Sequence, residues 1–314
     1  MAHFVRPLAL ADSLDTCQYD VHFYSPARFF GHLKGKPFTI GELRTMPGER
    51  FLENTSKGAP IFPADVIRDY IRQDRELISS IGPDLVIGDM RLSLPVSARL
   101  EGAVSAVMIN AYWSPYTRRR SILPALPLTR IVPPRLLGPV YKLAEPLAYA
   151  VHVGEMNRVR KEFGIPALPA DLRVMYTEGS YVLYPDVPEF VPASNLPAHH
   201  RYVGICQWTP ATSRPDWWDS MLADPKPKVF VSLGSSGPLR ALPVGLGQHP
   251  GGSRPKIAQE HPGDRVGHFP SSVGHGRGRF VGGMRNIMTI QGQDLTALQL
   301  GKGGKAIDRR RNGP

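Results

Sequence analysis

Of the 314 residues, a few combine a reactive side chain with a position that could use it. His3 stands just ahead of an apolar helical run, and an imidazole largely neutral at pH 7 can take a proton from a hydroxyl. Asp89 closes the run Asp84-Leu85-Val86-Ile87-Gly88-Asp89. A carboxylate at the carboxyl end of a buried parallel strand lies where open α/β sheets form their ligand crevice. Ser235 and Ser236 occupy the turn Gly234-Ser235-Ser236-Gly237 behind an apolar run, a setting in which amides and hydroxyls approach a phosphate. Tyr112 and Trp113 follow another strand-like run and offer a flat, apolar face. Each has a structural alternative: a surface histidine, a strand-ending or helix-capping aspartate, an ordinary turn, and core aromatics.

Other chemistry finds less support. His199 and His200 lack further ligands at metal spacing and read as loop, and no DxD motif occurs, so no metal site is expected. His22 alternates within a strand and reads as structural. Cys17 and Cys206 have no partner spacing and read as reduced thiols of a cytoplasmic protein. No signal peptide and no membrane span are visible. The formal charge is +11, but residues 245–314 hold 11 Lys and Arg against 4 Asp and Glu, so the body carries only +4. That tail has just two aromatics, Phe269 and Phe280, and offers few stacking platforms, so no nucleic-acid partner is expected. Arg118, Arg119 and Arg120, with the apolar stretch beyond, leave peripheral membrane contact open beside a solvated loop face.

Alternating elements must hold these side chains. Helical spacing marks residues 7–14, 65–80 and 93–100, while 19–25, 38–43, 84–88 and 103–109 read as strands. This alternation predicts a doubly wound α/β domain around a parallel sheet. One element is missing: the chain starts almost inside the first helix, with no central strand before it. A domain without that strand would lose a run of ladder hydrogen bonds from the middle of its sheet. Residues 114–146 are proline-rich with short amphipathic pieces such as 136–143, and helix returns over 153–163, ending at Gly164. Short strands are expected at 181–184 and 202–205, a linker at 207–227 and a buried strand at 228–233. After Val244 periodic apolar segments vanish apart from a faint run at 295–300, and 16 of the last 70 residues are glycine. Such a stretch reads as disordered, or as a translated wrong reading frame.

Three stretches together resemble the GT-B fold glycosyltransferases, in the family of UDP-glycosyltransferases and antibiotic macrolide glycosyltransferases. They are His3-Phe4-Val5-Arg6-Pro7 with the helix it opens, Pro83 to Asp89, and Val229-Phe230-Val231-Ser232-Leu233-Gly234-Ser235-Ser236. The resemblance covers roughly residues 3–240. It implies that His3 is a general base for an acceptor hydroxyl and that Asp89 orients its ring. It also implies inverting transfer from a nucleotide-diphosphate sugar to a small hydroxylated acceptor, with no other cofactor and no bound metal. Tyr112 and Trp113 would lie by the acceptor cleft, and Ser235 and Ser236 by the donor diphosphate.

The departures shape the expectation. Ala2 replaces the glycine before the loop histidine, and neither an HxGxxT/S loop nor an acidic-glutamine pair follows Val244; Gly274-His275-Gly276 lacks the flanking strand and helix. The expected organisation is therefore an acceptor-binding Rossmann-like domain over 1–206 and a linker over 207–227. The start of a nucleotide-sugar domain would follow over 228–244, then a basic tail over 245–314. The function expected is a crippled glycosyltransferase, with a non-catalytic acceptor-binding fragment or half of a split enzyme as the alternative.

Overall fold

A computed structural model of the chain describes residues 2–118, 131–209, 213–228 and 286–291. The first helix, α1 (Ala2–Asp12), buries Phe4, Leu8 and Ala11, one stripe at helical spacing. Strand β1 (Asp20–Ser25) follows, then the one-turn helix α2 (Phe30–Leu33) and strand β2 (Thr39–Glu42). Helices α3 (Gly48–Lys57) and α4 (Ala64–Ile81) lead to β3 (Leu85–Asp89), all five of whose residues are buried. Helix α5 (Leu94–Leu100) returns to β4 (Val104–Met108). The long helix α6 (Pro134–Glu162) and short α7 (Leu172–Tyr176) precede β5 (Tyr181–Tyr184) and β6 (His200–Tyr202). Helix α8 (Trp217–Ala223) and strand β7 (Asn286–Gln291) complete the described elements.

The strands form one seven-stranded sheet in the order β2-β1-β7-β3-β4-β5-β6, every pair parallel. Both faces are covered, as an all-parallel sheet requires. Leu85, Ile87 and Ile287 pack with Phe4 and Leu8 of α1 on one face. Val86, Met288 and Ile290 pack with Ile78 of α4 and Leu94 of α5 on the other. Gly88 lies where α5 crosses β3; a Cβ there would stand 2.6 Å from a Leu94 methyl, so the Leu94 side chain would have to shift. The turn after β3 is fixed from inside: Arg91 and Asp74, both fully buried, approach to 2.9 Å, Ser93 donates to Asp74 at 2.6 Å, and the Arg91 guanidinium lies 3.7 Å over the Tyr70 ring.

The doubly wound sheet expected from the sequence is present, and its missing centre has an unexpected source. Asn286–Gln291, from the stretch read as a tail without structure, lies between β1 and β3. Its start is pinned by Asp84 N–H donating to the Asn286 carbonyl at 2.8 Å and Asn286 N–H donating to the Asp84 carboxylate at 2.9 Å. Ile287, Met288 and Ile290 are fully buried, each contributing roughly 1.5–3 kcal/mol. Its carboxyl end points the same way as that of β3, with Gln291 beside Asp89, so it fills the place of a strand that would hand over to α1.

Smaller corrections follow the same logic of burial. Residues 136–143 and 153–163 belong to one continuous helix, α6, despite Pro139 and Pro146 inside it. Its last turns bury Val153, Met156 and Val159, so packing at that end outweighs the two lost backbone bonds. The strand expected at 202–205 is β6, two residues earlier, and His200 is a buried strand residue rather than loop. Burial, with His199 beside it, holds the His200 imidazole down to about 4, which fits the 2.6 Å hydrogen bond it shares with the Tyr184 hydroxyl. The seven-residue helix α8 occupies part of the expected linker. The expected strand at 228–233 lies, after its first residue, outside the described residues.

Candidate active site

Three strands end on the same edge of the sheet and set polar residues there. Asp89 is the last residue of β3, Asn110 lies two residues past β4, and Asp186 two past β5. The first turn of α1 faces this edge with His3 and Arg6, which share one side of the helix at a spacing of three. Pro7 has no amide to bond the His3 carbonyl, so the turn carrying His3 has one backbone hydrogen bond fewer.

Asp89 is the hub. Its side chain is fully buried, and His3 Nδ1 lies 2.7 Å from its Oδ1. Arg6 forks onto both carboxylate oxygens, Nη2 to Oδ1 at 2.6 Å and Nε to Oδ2 at 2.6 Å, and its Nη1 donates to Asn110 Oδ1 at 2.7 Å. Arg6 Nη2 also stands 2.9 Å from His3 Nδ1. The tautomer follows from these partners. An ionised carboxylate only accepts, so Nδ1 must carry the proton and donate to Asp89; its contact with Arg6 is then proximity around a shared oxygen. The Nε2 lone pair is left for a substrate, and His3 keeps 18% of its side-chain surface open to meet one. Asp186 extends the network, accepting from Ala111 N–H at 2.6 Å and, more weakly, from the Asn110 amide at 3.4 Å.

Cys206 lies close enough to feel these charges. Burial pushes its thiol up to about 11; Arg6 pulls against that shift, while Asp89 and Asp186 add to it. At neutral pH it is a thiol and does not compete as a nucleophile. Both cysteines are free. Among the described residues, no cluster of three or more His, Cys, Asp or Glu side chains could hold a metal ion, and no helix is long and apolar enough to cross a membrane.

His3 and Asp89, 86 residues apart in sequence, are therefore brought into contact. Tyr112 and Trp113 lie in a short 3-10 turn after Asn110 on the same edge. Tyr112 is 42% exposed, whereas Trp113 packs edge-on against Tyr176 at 5.1 Å and borders the core, so the two adjacent aromatics sit in different surroundings. Ser235 and Ser236 lie outside the described residues. Sequence reading overlooked Arg6, Asn110 and Asp186. The helix begins at Ala2 rather than at the expected Pro7, and that earlier start puts Arg6 on the side of His3; the position just past a strand's carboxyl end pointed to the other two.

Comparison with known proteins places this edge in context. No protein-family model matches the chain. It is 43% identical over 246 residues, 78% of its length, to the "Inactive PGL/p-HBAD biosynthesis glycosyltransferase" of Mycobacterium bovis, covering 67% of that protein. The same identity and span relate it to the "PGL/p-HBAD biosynthesis glycosyltransferase" of Mycobacterium tuberculosis, of which it covers 57%. A "PGL/p-HBAD biosynthesis rhamnosyltransferase" of M. bovis is 43% identical over 237 residues, 52% of that protein. The chain thus spans between about half and two thirds of these relatives.

Proposed function

Because the chain belongs to the glycosyltransferase family of these mycobacterial proteins, we propose that its sheet is the acceptor side of a GT-B type, inverting nucleotide-sugar transferase. The observation carrying this reading is the 2.7 Å contact of His3 Nδ1 with the buried Asp89 carboxylate on the ligand edge of the sheet. His3 Nε2 takes the proton of an acceptor hydroxyl as its oxygen bonds to the anomeric carbon of the sugar. The bond from that carbon to the diphosphate breaks, the nucleoside diphosphate leaves with the bonding pair, and the configuration inverts. Asp89 stays ionised, fixes the tautomer and stabilises the imidazolium formed. Exposed Tyr112 offers a ring face to a hydroxylated, partly apolar acceptor.

The donor half of the reaction rests on less of this sequence. Ser235 and Ser236 are assigned to the donor diphosphate on residue type and turn context. No HxGxxT/S loop or acidic-glutamine pair follows Val244 in these 314 residues. Positioning and charge stabilisation of the leaving group would then be lacking. We infer that this chain alone transfers little or no sugar. A radiolabel transfer assay with mixed UDP- and dTDP-sugars, a rhamnose donor included, should detect no turnover above background. Robust turnover would contradict this part of the reading.

A further inference from the structure

Past β6 the chain does not leave the sheet. Arg201, Val203, Ile205 and Gln207 are exposed while Tyr202, Gly204, Cys206 and Trp208 are half-buried, the alternation of an extended segment with one face turned inward. Two contacts fix where it runs. The Val203 amide donates to the carbonyl of Tyr184, the last residue of β5, at 2.9 Å. At the far end the Trp208 ring meets His32 of α2 edge-on at 5.3 Å and packs against the cluster that holds Phe4 and Phe29. From β5 to β1, after which α2 follows, the sheet spans four strand spacings, about 19 Å. The five steps from Val203 to Trp208 reach at most about 18 Å, so the indole completes a crossing that leaves the backbone no slack. The segment is thus drawn across the carboxyl ends of β4, β3 and β7, and Cys206, between the two anchors, feels the charges of Arg6, Asp89 and Asp186.

The crossing is lightly held. Among the described residues, none makes a hydrogen bond to the stretch from Gly204 to Trp208. Gly204, next to the Val203 anchor, has a φ of 78°, a conformation that glycine adopts without strain, and a Cβ there would meet nothing within 4 Å. A segment tied down by side-chain packing at one end and free to turn at the other opens at a fraction of the cost of global unfolding. Loops of this kind, hinged at a few residues, cover and uncover reacting groups in many enzymes.

We propose that residues 203–208 form a strap over the His3–Asp89 edge, hinged at Gly204 and latched by Trp208 against His32, that swings open while the sheet stays folded. Its use as a gate for the acceptor rests on the acceptor-side reading; the opening itself does not, and its test has no activity readout. In the full chain carrying C17S, Cys206 is the only thiol, and its reaction with dithiobis-nitrobenzoate reports how often the strap opens. Folded C17S should react at least about tenfold more slowly than the same chain in urea, because burial holds the thiol up at about 11 and thins its thiolate. Adding W208A should speed the folded chain at least about fivefold, the factor that losing one edge-on aromatic pair implies, with circular dichroism unchanged. Should W208A misfold, C17S alone decides through urea below the unfolding transition. A strap that opens by itself exposes little surface, so the rate should barely change there. The proposal is overturned if folded C17S reacts as fast as the unfolded chain, or if folded W208A reacts no faster than C17S. It is also overturned if the C17S rate climbs with urea as steeply as global unfolding does. Failure of the general-base assignment would leave these rates unchanged, so the two readings can fail separately.

Discussion

Asp89 has no exposed surface, so everything it does depends on what its two oxygens accept. Two charge-assisted bonds come from Arg6 and one bond from His3, and the guanidinium fork sets the carboxylate plane that in turn sets the imidazole. Arg6 therefore acts on His3 through Asp89, as a positioning residue. Replacing it with leucine leaves a buried charge without its counter-ion, at a cost of about 3–5 kcal/mol. At about 2–4 °C per kcal/mol, R6L should melt on the order of 10 °C below the parent, and R6K, which keeps the charge but loses the fork, should fall between. A thermal melt of R6L within a degree or two of the parent would show that the fork holds nothing. At this scale the sequence was half legible. His3 and Asp89 stood out because imidazole and carboxylate at such positions have known chemistry. Arg6 stays hidden because the helical spacing legible in the sequence starts at Pro7, one residue after it, and only the fold reveals that it reaches a carboxylate 83 residues away.

The elements divide by how local their causes are. Helix α4 and strands β1, β3, β4 and β5 follow from periodicity and from flanking turns such as Gly82, whose φ of 60° ends α4. Strand β7 depends on long-range pairing. Its six residues carry an apolar, β-branched core, Ile287-Met288-Thr289-Ile290, but the glycine-rich sequence around it hides a segment too short to show a period. That a strand belongs at the sheet's centre was legible; the segment that forms it was not. Helix α6 was likewise read as broken, because two internal prolines predict a break that packing at its far end overrides. If β7 closes the sheet, then a proline at Met288 in the full chain should remove a ladder donor from its centre and open both neighbours. Hydrogen exchange should show β1 and β3 amides losing protection in M288P while those of β4 and β5 lose less. Unchanged protection of β1 and β3 would mean that they do not need this strand.

At the scale of the whole molecule, one edge of a parallel sheet gathers His3, Asp89, Asn110 and Asp186. Fold class was legible from alternating strands and helices, and family membership rests on 43% identity with mycobacterial glycosyltransferases. The chain spans 57% of the M. tuberculosis relative, so the test of the site is best made where the rest of such a protein is supplied. Residues 2–228 can be set in place of the matching stretch of that relative, with the relative's own flanking sequence kept to take over the place of β7. If His3 is the general base that Asp89 orients, the chimera should transfer sugar and H3A should lower its kcat by about 10²–10⁴-fold. An active chimera in which H3A keeps kcat within a few-fold of the parent would contradict the assignment.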